Sequence, residues 1–148
     1  MSFIRLVVVV TCAAMLAACA DMQAHAQRAS ARQAAYVAAA GAPVNSFRMF
    51  NPLWSWEPLS DTQVAIYTRP NQAFLLDLDG ACQNLEFATA IGLTSNLHQV
   101  SVRFDKVLTG RRYPPCTIMQ IRPIDVARLK VEQQAQRKID EAARPPSG

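Results

Sequence analysis

The rhythm of apolar and polar positions changes repeatedly along this chain, and each change predicts an element. Behind Arg5, Leu6 to Leu16 forms an uncharged apolar run of 11 residues. From Ala20 to Ala42 eleven of 23 residues are alanine, interleaved with Gln, Arg and Ser. Alanine favours helix, but this stretch has few large side chains to bury, so it reads as a partly helical tether stopped by Gly41 and Pro43. Two β-prone runs follow, Val64 to Thr68 and Ala73 to Leu78, on either side of Arg69-Pro70-Asn71-Gln72. Proline then asparagine suits the centre of a tight turn, so the runs read as a hairpin that Asp79-Gly80 closes.

Leu85, Ala88 and Ile91 recur at threes ahead of Gly92, which predicts a short helix from Gln83 to Ile91. Strict alternation from Val100 to Asp105 predicts a strand with Val100, Val102 and Phe104 inward and Ser101, Arg103 and Asp105 outward. After the turn at Thr109 to Arg112, the run from Cys116 to Arg122 predicts a returning strand. Asp125 is placed to cap a C-terminal helix that continues as a polar tail. The expected fold is α+β, a small antiparallel sheet of about four strands with one short helix between hairpins and a C-terminal helix. The expected organisation is a leader over 1–18, a tether over 19–44, a folded domain over 45–129 and a polar helical tail over 130–148.

The leader decides the address. Eleven apolar residues are too few to span a bilayer, which takes about 20, but they match the central region of an export signal. The run ends in Leu16-Ala17-Ala18-Cys19, the pattern at which bacterial lipoproteins are cut and acylated on the cysteine. The expectation is therefore a lipid anchor on Cys19 in the cell envelope. Ala20 in the next position favours the outer membrane, with the domain facing the periplasm. Cleavage after Ala24-His25-Ala26 is the other possibility, and would leave a soluble periplasmic or secreted protein.

Charge is informative once placed. The formal charge is +4, yet Asn45 to Val126 carries seven basic and seven acidic residues. The excess lies in the leader, the tether and the tail, with no dense basic patch among aromatics, so nucleic acid is not an expected partner. Catalytic motifs are sparse too: His25 and His98 are the two histidines, and no zinc-peptidase, nucleophile-elbow or P-loop pattern occurs. No cofactor or metal is expected. Asp77 with Asp79 reads as a charged turn or as two cation ligands, and Arg103 with Asp105 as an exposed ion pair. Trp54 and Trp56, on one face of an extended stretch, read as core or as an aromatic binding surface.

The cysteines follow the leader. Cys12 departs with it and Cys19 is acylated or removed, so Cys82 and Cys116 remain to form a disulfide in an oxidising compartment. A zinc site at this pair would need two more ligands that no nearby spacing supplies.

Trp56-Glu57-Pro58-Leu59, Thr68-Arg69-Pro70-Asn71, Ile91-Gly92-Leu93-Thr94-Ser95, Arg103-Phe104-Asp105 and the cysteine pair resemble a family of small exported proteobacterial proteins. The resemblance covers roughly Phe47 to Leu129. Members of that family are labelled lipoproteins or domains of unknown function, so the resemblance implies export and a disulfide but no activity. The function expected is a lipid-anchored interaction or structural module with an envelope protein or the cell wall as partner, and not an enzyme. The alternative is a periplasmic module that binds a small ligand or acts as an enzyme.

Overall fold

The computed structural model describes residues 22–50 and 52–142. Leu16 to Cys19, with the acylation expected on Cys19, and Cys12 lie outside the described residues. The chain divides into two units, residues 1–32 and 33–148. In the first, residues 22–32 are helical.

The second unit opens with helical residues 33–39 (α1). Eight strands follow: β1 Ser46–Arg48, β2 Ser55–Ser60, β3 Gln63–Arg69, β4 Gln72–Leu78, β5 Gly92–Leu93, β6 Gln99–Ser101, β7 Lys106–Leu108 and β8 Cys116–Ile124. The helix α2, Val126–Ala142, ends the described chain. Six strands form one curled antiparallel sheet in the order β2-β3-β4-β8-β7-β5, and β1 pairs with β6 beside it. The α+β class is as expected, but the sheet has six strands where about four were expected. Beyond the expected β3, β4 and β8, the sheet holds β2, six residues long, with β5 and β7 of only two or three, while the strand expected at Val100 lies outside it, as β6 paired with β1.

Strands β3 and β4 are buried on both faces, which is why they read as continuous apolar runs. Val64 and Ile66 of β3 and Phe74 and Leu76 of β4 point into the main core, where Phe47 stacks on Phe74 with ring centroids 4.2 Å apart. Ala65, Ala73 and Leu75 point the other way, against Tyr36 and Ala39 of α1 and Val126 and Leu129 of α2. Small residues on that face let the helices approach closely. Pro70 and Asn71 form the hairpin turn, and the Asp125 carboxylate accepts the Arg128 N–H at 3.0 Å as the cap of α2.

Three expectations need correction. Gln83 to Ile91 is not a helix: residues 83–87 are turns, and Asn84 has φ 64°, outside the helical region. Asn84 Nδ2 donates to the Thr109 carbonyl at 3.1 Å and the Thr109 hydroxyl to the Gln83 carbonyl at 2.7 Å, while Leu85 plugs the core, so the segment is fixed by tertiary bonds. Second, the strand at Val100 stops at Ser101. Asp105 is buried, accepting the Ser101 N–H and the Thr94 hydroxyl, each at 2.7 Å, and residues 102–104 turn around it. Phe104, expected inside, is 85% exposed.

Third, the expected tether contributes to the core from Gln33 onward. Tyr36 is 1% exposed, and Ala39 is buried beside it. Past α1 the chain runs along β8, where the Gly41 N–H reaches the Pro123 carbonyl and the Val44 N–H the Ile121 carbonyl, both at 2.8 Å.

Candidate functional site

Two places on the second unit combine polar chemistry with shape. The first is the sheet face beneath the helices. On it Tyr36 donates to Glu57 Oε2, and its oxygen lies 2.9 Å from that of Tyr67. A phenol has one proton to give, so with that of Tyr36 committed to Glu57, the proton between the two phenols is Tyr67's. Burial, then the bond donated to Glu57, pushes the ionisation of Tyr36 far above the ordinary tyrosine range, and burial raises that of Tyr67. Further along the same face Gln33 Nε2 donates to Gln63, Gln63 Nε2 donates to Asp77, and Arg122 Nη2 meets Asp77 Oδ2 at 3.1 Å. Each cross-strand partner is fixed by register, Gln63 standing opposite Asp77 and Glu57 opposite Ala65. These groups bond to one another, though Arg122 Nε is buried without a hydrogen-bond partner, and Gln33 and Tyr36 join helix to sheet.

The second place is an open groove of about 650 Å³ between the two outer strands of the curled sheet. One wall is Pro52 to Trp56, leading into β2; the other is Thr89 to Leu93, leading into β5, with Met49 between them. Trp54 and Trp56 share it, as period-two extension requires, but their burial differs. Trp56 packs against the main core, whereas Trp54 is 65% exposed. The core reading holds for Trp56, while Trp54 stands at the surface. No ionisable side chain lines this groove. A neighbouring hollow of about 520 Å³ shares Ala90 to Gly92 and adds Leu108, Arg111 and Tyr113.

The disulfide sits under this region. Cys82 and Cys116 are bonded, with Cα atoms 5.6 Å apart, and both are buried. It ties the lead-in to the groove's second wall to the first residue of β8.

A match with one family comes from the sequence itself, over residues 2–140. The chain belongs to the family of unknown function DUF6491. No curated protein and no solved structure matches it. The DUF6491 match runs well beyond the Phe47 to Leu129 resemblance, taking in the apolar run from Leu6 to Leu16, the alanine-rich stretch and nearly all of α2.

The other candidates scatter over the DUF6491 fold. Asp77 pairs with Arg122, and Asp79 lies in the turn after β4 with its N–H on the Thr117 carbonyl. His98 stacks on Phe50, ring centroids 5.5 Å apart, and Arg103 occupies the turn after β6. Of these four, Arg103 alone lines one of the grooves, an open one of about 550 Å³ beside β1 and β6. Among the described residues no ion pair joins Arg103 to Asp105, and no group of three or more His, Cys, Asp or Glu is placed to hold a metal. No helix among them is long and apolar enough to cross a membrane. The groove's second wall was missed by sequence reasoning: Thr89 to Leu93 meets Trp54 only through the long return of the chain between β4 and β8.

Proposed function

We propose that this protein is exported, anchored in the cell envelope by lipid on Cys19, and that its folded unit is an interaction module for an envelope protein or the cell wall. The groove between β2 and β5 is the observation that carries the reading: an uncharged surface of mixed polar and apolar character with Trp54 standing in it, on a frame cross-linked by the disulfide. Exposed aromatic surface of this kind is characteristic of contact sites. Support for export comes from the disulfide, which needs an oxidising compartment, and from the leader ending in Leu16-Ala17-Ala18-Cys19. The resemblance of the Trp56-Glu57-Pro58-Leu59 and Thr68-Arg69-Pro70-Asn71 motifs to exported proteobacterial proteins agrees with it. Outer-membrane placement with the unit facing the periplasm follows from Ala20 after the acylated cysteine.

A photoreactive side chain at position 54 or 91, introduced into the lipidated protein in its native membranes, tests the module. The expected result is one discrete adduct from both positions, lost on Leu93→Asp and absent from position 130 on the exposed face of α2. Equal labelling from position 130, or no adduct from either groove position, contradicts the reading.

A further inference from the structure

Beside the groove, a small tip of the fold carries apolar side chains that folding does not explain. β1 and β6 pair with Arg48 opposite Gln99, so the chain beyond β1 runs past the turn that precedes β6. The Met49 N–H donates to the His98 carbonyl at 2.8 Å, and the Phe50 ring stacks on His98. That turn is a two-residue one, closed by paired backbone bonds between Asn96 and Gln99. Its central residues, Leu97 and His98, have φ of 51° and 62°. Asparagine and glycine fill such positions with little strain, whereas a leucine is crowded there by its own Cβ. Leu97 is also 89% exposed, and Phe50 is 64% exposed. A strained backbone therefore presents an unburied aliphatic side chain to solvent.

Charge selects the occupant. Residues 44–56 and 87–104, the two stretches that build this region, contain no acidic residue, and their ionisable side chains are Arg48, His98 and Arg103. The tip formed by Phe50 and Leu97 lines none of the grooves described above. Exposed apolar side chains beside an arginine suit a negatively charged lipid interface, with the apolar side chains below the headgroups and the cation at their level. We propose that Phe50 and Leu97 dock the folded unit on an anionic lipid bilayer, with Arg48 against its headgroups, independently of any acyl chain on Cys19.

The full chain carrying Cys19→Ser, and hence no acyl group, tests this by co-sedimentation with vesicles. Phosphatidylglycerol mixed with phosphatidylethanolamine is one probe, and phosphatidylcholine alone is the other. Binding is expected to the first, at least about tenfold weaker to the second, and about tenfold weaker again for Phe50→Asp with Leu97→Asp. Leu97→Gly separates the tip from the fold: relieving the left-handed strain should leave the urea midpoint equal or higher while vesicle binding falls. Equal binding to both lipids, or binding unchanged by the double substitution, overturns the proposal. So does a double variant that loses only a protein cross-link. Because acylation is removed throughout, failure here is distinct from failure of the lipid anchor.

Discussion

Replacing Tyr36 should destabilise the folded unit more than any other change in the alanine-rich stretch. Its ring is 1% exposed against Leu59, Ala65, Leu75 and Leu129, and its hydroxyl joins Glu57 to Tyr67. Tyr36→Phe keeps the ring and removes the donor to a carboxylate, a loss of about 1.5–3 kcal/mol. Tyr36→Ala adds a cavity under α1, and aromatic-to-alanine changes in cores cost about 3–5 kcal/mol on their own. Against a total of about 5–15 kcal/mol for a typical domain, the alanine variant is left marginal. Urea unfolding of the full chain with Cys19→Ser, followed by Trp56 emission in a Trp54→Phe background, measures both. A double-mutant cycle of Tyr36→Phe with Glu57→Gln should return a coupling above about 0.5 kcal/mol. An alanine variant that loses less than about 1 kcal/mol would refute the reasoning, and would return residues 33–39 to the role of a tether.

Removing the disulfide by Cys82→Ser with Cys116→Ser opens a loop with a sequence separation of 34. The chain-entropy relation gives about 4 kcal/mol for it, read as a lowered denaturant midpoint; an unchanged midpoint contradicts this. At alkaline pH the folded state holds the Tyr36 proton while the unfolded state releases it near the ordinary tyrosine value of about 10. Stability from this residue is thus complete below that pH and falls above it by about 1.4 kcal/mol per pH unit, a slope that Tyr36→Phe should remove. Ending the chain after residue 131 should change stability by less than about 0.5 kcal/mol, because the buried side chains of α2 are Val126 and Leu129. A larger loss would show that the rest of the helix packs.

Elements that satisfy themselves locally were legible in the sequence. The hairpin of β3 and β4 carries its own turn residues and apolar runs, and Asp125 caps α2 within three residues. Elements fixed by distant partners were not. The alternation at Val100 to Asp105 is a good strand pattern, but the Asp105 carboxylate captures the Ser101 N–H and the Thr94 hydroxyl and bends the chain instead. One tyrosine among alanines gave no periodic signal, yet Tyr36 closes the second core through partners 21 and 31 residues away. The candidate site divides in the same manner. Trp54 and Trp56 stand out in the sequence, while the opposite wall and the strained Leu97 emerge only when the sheet curls.

The claim that the protein is lipid-anchored in the envelope is tested most directly by intact-mass and N-terminal peptide analysis of the protein extracted from its native membranes. The account predicts a mature chain beginning at Cys19 and carrying acyl groups, with Cys82 and Cys116 oxidised. A chain beginning at Gln27 without added mass, or one that still begins at Met1, contradicts it.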